Sequence, residues 1–324
     1  NWDAVQYSAG GYTIENTPYL FTDIKGDWFD ILGLSLDPLR GVLRMYGVTD
    51  SKRPKLAGVF GYPISQSKSP TLHGYWLNQL NIPGFYTALE CPPAYFADTV
   101  HLLAKLGFAG ANVTMPHKDA AIALSDTQTK AATTIGVSNT LVFGKEGILA
   151  DNTDGVGFWR NIQQSLPDYN IDGQTALVLG AGGAARAVIW ALLDAGAAKV
   201  VITNRTRSKA DALAQVFGER VAVLEWDDRS ADLFDIGFVV NTTALGMTGK
   251  APLGMDLTTL PATSVVTDIV YVPLETDLLA QAKTKGCPTV DGLGMLLHQA
   301  APGFEAWFGT APTVDTGLRK AVLG

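Results

Sequence analysis

The chain has 324 residues, 47% hydrophobic and 17% charged, with 34 Gly, 16 Pro and a formal net charge of −7. That composition excludes a mainly disordered, collagen-like or coiled-coil protein, and at roughly 100–200 residues per domain it suggests about two domains. The acidic balance argues against non-specific nucleic-acid or membrane partners, and no apolar run reaches the roughly 18 residues that a membrane-spanning helix needs. Cys91 and Cys287 stand far apart without CxxC spacing and read as reduced thiols of a cytoplasmic protein. No signal peptide is visible, and a start at Asn1 is expected of a fragment, a processed product or a trimmed chain.

Residues 1–50 are rich in Gly and aromatic side chains and poor in helical periodicity, and a polar hinge follows at 49–55. Beyond it, short apolar runs alternate with amphipathic helices, the pattern of βαβ units. The spacing predicts strands at 56–60, 85–89 and 109–113, with helices at 70–80 and 94–106 between them. Short helices are expected at 116–124 and 127–134, then a hairpin of 138–143 with 147–150 around Gly144-Lys145-Glu146. Asp154 reads as an N-cap for a helix at 156–166. Strands at 175–179, 199–203, 221–224, 236–241, 265–270 and near Thr289, with helices at 183–195, 208–217 and 277–285, form a doubly wound unit. Helices at 293–308 and 314–322 close the chain.

The strand at 175–179 runs straight into Gly180-Ala181-Gly182-Gly183-Ala184-Ala185, a GxGxxA loop opening a helix. Gly180 suits a tight turn, Gly182 lets the backbone approach a pyrophosphate, and the small Ala185 permits close helix packing. The helix N-terminus then offers N–H groups and a positive dipole to phosphates. At the next strand end an NAD site would usually carry an acid for the ribose 2′-OH. Here the run is Asn204-Arg205-Thr206-Arg207-Ser208-Lys209, which favours a 2′-phosphate and hence NADP(H). The alternative is a solvated cationic loop.

Three polar clusters interrupt the other half. Ser67 and Ser69, beside a helix start, suit a small carboxylate or simply an N-cap. Asn112-Val113-Thr114-Met115-Pro116-His117-Lys118 ends a strand and turns into a helix, where ligands collect in open α/β sheets. Lys118 in a first helical turn is poorly placed for the dipole, which hints at acid/base work, although a surface lysine is the plainer reading on spacing alone. Asp154, at a domain junction, is either a helix cap or the partner of that lysine. His117 reads as a structural histidine, and His73, His101 and His298 lack metal-ligand spacing, so no metal is expected.

Taken in order, these pieces resemble the shikimate dehydrogenase family. The resemblance rests on Gly61-Tyr62-Pro63-Ile64 with Ser67-Lys68-Ser69-Pro70, Asn112-Val113-Thr114 with Pro116-His117-Lys118, and Asn139-Thr140. It continues through Asn152-Thr153-Asp154-Gly155, the glycine loop, Asn204-Arg205-Thr206, Asp268-Ile269-Val270-Tyr271, Asp291-Gly292-Leu293-Gly294 and Gln299. It implies a two-domain α/β fold, with an α/β substrate domain at 55–154 and 291–324 and a Rossmann NADP-binding domain at 155–290. It also implies NADPH-dependent reduction of 3-dehydroshikimate to shikimate on the way to aromatic amino acids.

The family roles then fall on named residues. Ser67 and Ser69 would bind the carboxylate, while Thr114, Asn139, Asp154, Tyr271 and Gln299 would hold the ring hydroxyls. Lys118 would be the acid/base beside Asp154. Gly180, Ala181, Gly182, Gly183 and Ala184 would cradle the pyrophosphate; Asn204, Arg205, Thr206 and Lys209 would hold the 2′-phosphate; Ile269 and Gly292 would line the nicotinamide pocket.

Gln66, Lys130 and Ser138 depart from the usual family residues. The expected partner is a small-molecule substrate, with homodimerisation open. Rival readings are a quinate/shikimate dehydrogenase of broader preference, a methylene-tetrahydrofolate type of dehydrogenase, and a non-catalytic NADP-binding module. Residues 1–50, with Ala9-Gly10-Gly11-Tyr12-Thr13-Ile14-Glu15 and Ile24-Lys25-Gly26-Asp27-Trp28, resemble the C-terminal part of the Maf family of nucleotide pyrophosphatases. They are read as a short N-terminal extension, the remnant of a fusion.

Overall fold

A computed structural model describes residues 54–324, so the Maf-like stretch at 1–50 lies outside the described residues. From there, β1 (Lys55–Gly61), α1 (Ser69–Gln79), β2 (Gly84–Glu90), α2 (Phe96–Lys105) and β3 (Gly110–Val113) follow in βαβαβ order. Next come α3 (Lys118–Ala123), β4 (Thr127–Gln128), α4 (Lys130–Ile135), β5 (Thr140–Gly144) and β6 (Gly147–Asp151). These strands make one sheet in the order β2-β1-β3-β5-β6-β4. β1, β2 and β3 are parallel, and β5 runs antiparallel to both of its neighbours.

The second sheet begins after α5 (Asp154–Ser165). It is built from β7 (Thr175–Leu179), α6 (Gly183–Asp194), β8 (Lys199–Thr203), α7 (Arg207–Phe217), β9 (Val221–Leu224), β10 (Ile236–Asn241), β11 (Val265–Asp268), α8 (Asp277–Lys285) and β12 (Thr289–Val290). All its pairings are parallel, in the order β12-β11-β10-β7-β8-β9. Read from the β9 edge and numbered from its own first strand that is 3-2-1-4-5-6, the doubly wound order, which reverses direction between β7 and β10. Its central strands read as continuous apolar runs because both faces are covered. Phe158, Val188, Leu192 and Leu213 pack on one face and Leu253, Leu257, Leu278 and Leu279 on the other.

Two closing helices, α9 (Leu293–Phe308) and α10 (Thr316–Leu323), return to the first sheet. Leu293, Leu297, Phe304 and Trp307 of α9 pack with Leu72 and Trp76 of α1 in one buried cluster. α9 also crosses α5 at very close range. A Cβ on Gly157 would meet the backbone N and Cα of Gln299 at 2.5 and 2.6 Å, and one on Gly294 would meet Asn161 Oδ1 at 1.7 Å. The two helices, rooted in different cores, therefore touch through glycine. No helix among the described residues is long and apolar enough to cross a membrane.

Four local expectations are corrected. Residues 127–134 do not form one helix: Thr127 and Gln128 pair with Leu149 and Ala150, and the helix starts at Lys130 with Thr129 Oγ1 capping Ala132 N at 3.2 Å. The helix expected from residue 94 opens instead as a 3-10 turn over Pro93–Tyr95, because Pro92 before it is held extended and Tyr95 N bonds Pro92 O. The strand expected to reach Val270 ends at Asp268, whose Oδ1 takes the Val270 N–H at 2.9 Å and turns the chain. Asp154 is not an N-cap but the first residue of α5, and Thr153 precedes it as the cap position.

Gly157→Ala should lower unfolding stability by about 1–3 kcal/mol, the usual cost of overpacking against backbone that cannot yield. Urea denaturation of the variant beside the wild type measures it, and an unchanged midpoint would show that α9 can move away freely.

Candidate active site

The C-terminal ends of β1, β3 and β6 and the N-terminal end of the antiparallel β5 meet at a cleft of about 460 Å³, which falls within the range typical of small-molecule sites. Ser67, Ser69, Thr114, Lys118, Asn139, Asp154, Tyr271 and Gln299 all border it, and so do Ile269 and Gly292 from the second sheet's side. Chain segments more than 200 residues apart are thus brought to one crevice.

At its centre Lys118 Nζ donates to Asp154 Oδ2 at 2.6 Å, with the two side chains 26% and 15% exposed. Each residue opens a helix, α3 and α5. An acid is favoured there by the helix dipole and a lysine is not, so the ion pair compensates the misplaced cation. Asn139, 3% exposed, fixes the other carboxylate oxygen: its Nδ2 donates to Asp154 Oδ1 at 2.8 Å and to Gln299 Oε1 at 3.3 Å. Its own Oδ1 accepts from Thr153 N at 2.9 Å. Thr153 Oγ1 in turn donates to the Gln299 carbonyl at 2.7 Å, which ties α5 to α9 at this point.

Asn112 belongs to the strand-end motif yet had no assigned role. It accepts from Tyr86 Oη at 2.6 Å and donates to Asn139 O and Thr140 Oγ1. Both polar atoms of its amide are engaged within the protein, so Asn112 braces the neighbouring Asn139 segment. Tyr86 is stacked on the buried His73 at 3.9 Å, and burial holds His73 down to about 3, keeping that ring neutral. Spacing alone carries no signal for this Tyr86–Asn112 contact, since it joins strands β2 and β3 across β1.

His117 is structural, as expected. It is 2% exposed, its Nε2 lies 2.8 Å from Cys91 O, and it stacks on Phe96 at 4.4 Å. Burial lowers its pKa, against the Cys91 carbonyl, which raises it. Among the residues that depart from the family pattern, Ser138 is fully buried and its hydroxyl lies 2.9 Å from Asp151 O and 3.0 Å from Thr140 O. Gln66 borders the cleft and Lys130 does not.

A second cavity, of about 240 Å³, lies at the switch point of the parallel sheet. Gly180, Ala181, Gly182, Asn204, Arg205, Thr206 and Lys209 border it; Gly183 and Ala184 form the first turn of α6 beside it. Gly180 has φ +112°, and a Cβ there would strike Thr242 Oγ1 at 2.7 Å, so glycine is required. At Gly182 and Gly183 a Cβ would meet no atom within 4 Å, and no side chain caps α6. A bare glycine face and an uncapped helix start fit a pyrophosphate.

Of the three cations after β8, Arg207 is paired with Glu225 and Asp211, while Arg205 and Lys209 face the cavity without an ion pair among the described residues. Trp226, Thr242 and Thr243 also border this cavity and escaped the sequence reading. The two threonines follow β10 at the reversal of strand order, a place the topology does mark. Among the described residues no cluster of His, Cys, Asp or Glu could hold a metal.

Just before Ile269 and Tyr271 lies Asp268, 1% exposed. Asn241 Nδ2 and Val270 N donate to its Oδ1 at 3.0 and 2.9 Å, and Thr276 Oγ1 donates to Oδ2 at 2.8 Å. Burial nevertheless outweighs these three bonds and pushes its carboxyl up to about 6.

Comparison with known proteins adds three family-model matches. Residues 59–141 match the shikimate dehydrogenase substrate binding domain, 161–246 the shikimate / quinate 5-dehydrogenase model, and 292–320 the shikimate 5′-dehydrogenase C-terminal domain. A shikimate dehydrogenase (NADP(+)) of Cereibacter sphaeroides is 50% identical over 277 residues, covering 85% of this chain and 99% of the relative. The shikimate 5-dehydrogenase of Thermus thermophilus, solved with NADP(H) and shikimate, has a TM-score of 0.73 at 33% identity, covering 83% of this chain and 98% of that one. A quinate dehydrogenase from Corynebacterium glutamicum, solved with NAD, has a TM-score of 0.77 at 31% identity, covering 83% and 99%.

The raised Asp268 carboxyl gives a pH test. Its folded pKa lies above the usual carboxylate value, so the stabilisation it carries is complete below about pH 4 and is lost as pH rises through about 6. Asp268→Asn can keep all three bonds, with Oδ1 accepting as before and Nδ2 donating to Thr276 Oγ1. It should therefore fold and flatten this component of the profile, which urea unfolding from about pH 4 to 8 measures. A profile identical to wild type would place the carboxyl's titration elsewhere.

Proposed function

Because the chain belongs to the shikimate dehydrogenase family, we propose that it interconverts 3-dehydroshikimate and shikimate with NADP(H) as its cofactor. The observation that carries the chemistry is the Lys118–Asp154 pair, 2.6 Å apart and bordering a cleft shared by two serines and by residues of the parallel sheet. Ser67 and Ser69 donate hydrogen bonds from their hydroxyls to the substrate carboxylate. Thr114, Asn139, Tyr271 and Gln299 orient the ring hydroxyls.

NADPH, when bound, supplies the hydride that reduces the ketone carbon. Lys118 Nζ gives a proton to the ketone oxygen as the C=O becomes C–OH, and takes it back in the reverse direction. An ammonium at that place also meets the negative charge that develops on the oxygen. Asp154 holds Nζ in position, and Asn139 keeps Asp154 from turning away.

Gly180, Ala181, Gly182, Gly183 and Ala184 receive the pyrophosphate, while Asn204, Arg205, Thr206 and Lys209 receive the 2′-phosphate. Arg207 is left out of that set because Glu225 and Asp211 already compensate it. Ile269 and Gly292 close the nicotinamide side, with Gly292 packed so tightly that a Cβ would lie 2.4 Å from Ile269 O.

The division into a substrate domain at 55–154 and 291–324 and a cofactor domain at 155–290 belongs to the same reading, as does a cytoplasmic location. The description of residues 1–50 as a Maf-like remnant is a reading of the sequence alone, and nucleoside triphosphate hydrolysis by this chain would overturn it.

NADPH absorbance with shikimate or quinate, and with NADP⁺ or NAD⁺, tests the assignment: shikimate with NADP⁺ should give the highest kcat/KM. Turnover confined to quinate with NAD⁺ would move the chain to the other activity found among its structural neighbours. Lys118→Ala should leave NADPH affinity unchanged and lower kcat by about 10²–10⁴-fold, the usual size of a general acid/base contribution. Near-normal turnover would remove Lys118 from that role.

A further inference from the structure

The cleft holds a charge that the mechanism above leaves unused. Three ionised side chains border it, namely Lys118, Asp154 and Lys68. Asp154 neutralises Lys118. Lys68 makes no ion pair among the described residues. Lys68 is therefore the one charged side chain bordering the crevice that no ion pair compensates among the described residues, inside a chain whose formal net charge is −7; the next carboxylate, Glu90, accepts from Ile64 N at 3.3 Å.

Lys68 also stands where local rules disfavour it. It is the N-cap of α1, a position that prefers Ser, Thr, Asp or Asn and that repels a cation through the helix dipole. The helix start itself has few donors to offer an anion. Pro70 has no N–H, Ser69 N is bonded to Ser67 Oγ at 3.3 Å, and Leu72 N is bonded to Lys68 O at 3.0 Å. The backbone at Lys68 is helical rather than extended, with φ −83° and ψ −6°, so its side chain does not simply alternate away from its neighbours. Ser67, Lys68 and Ser69 all border the cleft. A residue that breaks a local preference without a structural partner is expected at functional sites.

We infer that Lys68 is a substrate-binding residue whose ammonium supplies the uncompensated positive charge that attracts and holds the substrate carboxylate, while Ser67 and Ser69 set its orientation. This rests on the proposed function insofar as the substrate is a carboxylate. Two hydroxyls orient an anion but do not compensate its charge, and Lys118 is already matched by Asp154. Lys68 is exposed, so its contribution is screened by salt over a Debye length of about 10 Å at 0.1 M ionic strength.

The test compares wild type, Lys68→Met and Lys68→Arg in shikimate oxidation at ionic strengths from about 0.02 to 0.5 M, with the methyl ester of shikimate as an uncharged control. In wild type and Lys68→Arg, KM for shikimate should rise with salt. Lys68→Met should raise that KM by about 5–20-fold at low salt, flatten its salt dependence, and leave kcat and the KM for NADP⁺ within about two-fold of wild type. KM for the ester should be alike in all three. A Lys68→Met enzyme with wild-type KM and wild-type salt slope overturns the inference and leaves the proposed function standing. Should the wild type bind shikimate without oxidising it, the proposed function fails, and calorimetric affinities of the same variants decide the role of Lys68. Absence of any shikimate binding overturns both.

Discussion

One contact organises the crevice: the ammonium of Lys118 held 2.6 Å from the carboxylate of Asp154. Each partner begins a helix, and the two helices follow different strands, β3 and β6. The acid gains from the dipole at its helix start, whereas the lysine loses, so the pair is asymmetric and the lysine depends on its partner. The partner is in turn held at both oxygens, by Lys118 and by Asn139, and Asn139 is held by Thr153 and braced through Asn112. A mobile surface salt bridge contributes little; a half-buried one held at both carboxylate oxygens is a fixed element of geometry.

That geometry is useful only if something approaches it from the other side. The parallel sheet brings its own C-terminal edge, with Ile269 and Tyr271 after β11 and Gly292 before α9, to the rim of the same cleft. The link is the crossing of α5 and α9. Gly157 and Gly294 permit an approach that any Cβ would block, so Gln299 on α9 reaches Asn139 and Thr153. Asn161 Nδ2 to Asp291 O at 2.8 Å and the Arg319–Asp291 ion pair secure the turn that precedes α9. The substrate side and the cofactor side are thus joined through the helix pair that also carries Asp154 and Gln299.

Much of this was legible in the sequence, for reasons that differ by element. The doubly wound half was readable because strands buried on both faces are apolar runs and its glycine loop falls between a strand and a helix. Lys118 was only hinted at: a lysine opening a helix is a local misfit, yet on spacing alone a surface lysine was the plainer reading, and the family resemblance carried its role. Asp154 was half legible: an acid at a helix start reads equally as a cap, and only the fold shows its carboxylate turned to Lys118 and Asn139. The two-residue strand Thr127–Gln128 was hidden, since its extended form is fixed by pairing with Leu149 and Ala150 rather than by its own pattern. Tyr86, Trp226 and the bracing role of Asn112 were invisible because their contacts join strands or loops that no sequence period relates.

The charges show one further regularity. Where a cation must stay at a fixed point beside a reacting atom, as proposed for Lys118, the fold supplies an acid to hold it. Where an anionic group is to land, as proposed for Arg205, Lys209 and Lys68, the described residues provide no such acid, and the neighbouring Arg207 is withdrawn by Glu225 and Asp211. An acidic chain of this kind repels anions at long range, so the local pattern of compensated and uncompensated cations, rather than the total, decides where they bind. This is why net charge argued against non-specific polyanion partners at the outset yet said little about small anions. A binding surface for a polyanion needs a field spread over many phosphate contacts, whereas a small carboxylate or phosphate ester responds to one or two unpaired cations within a Debye length.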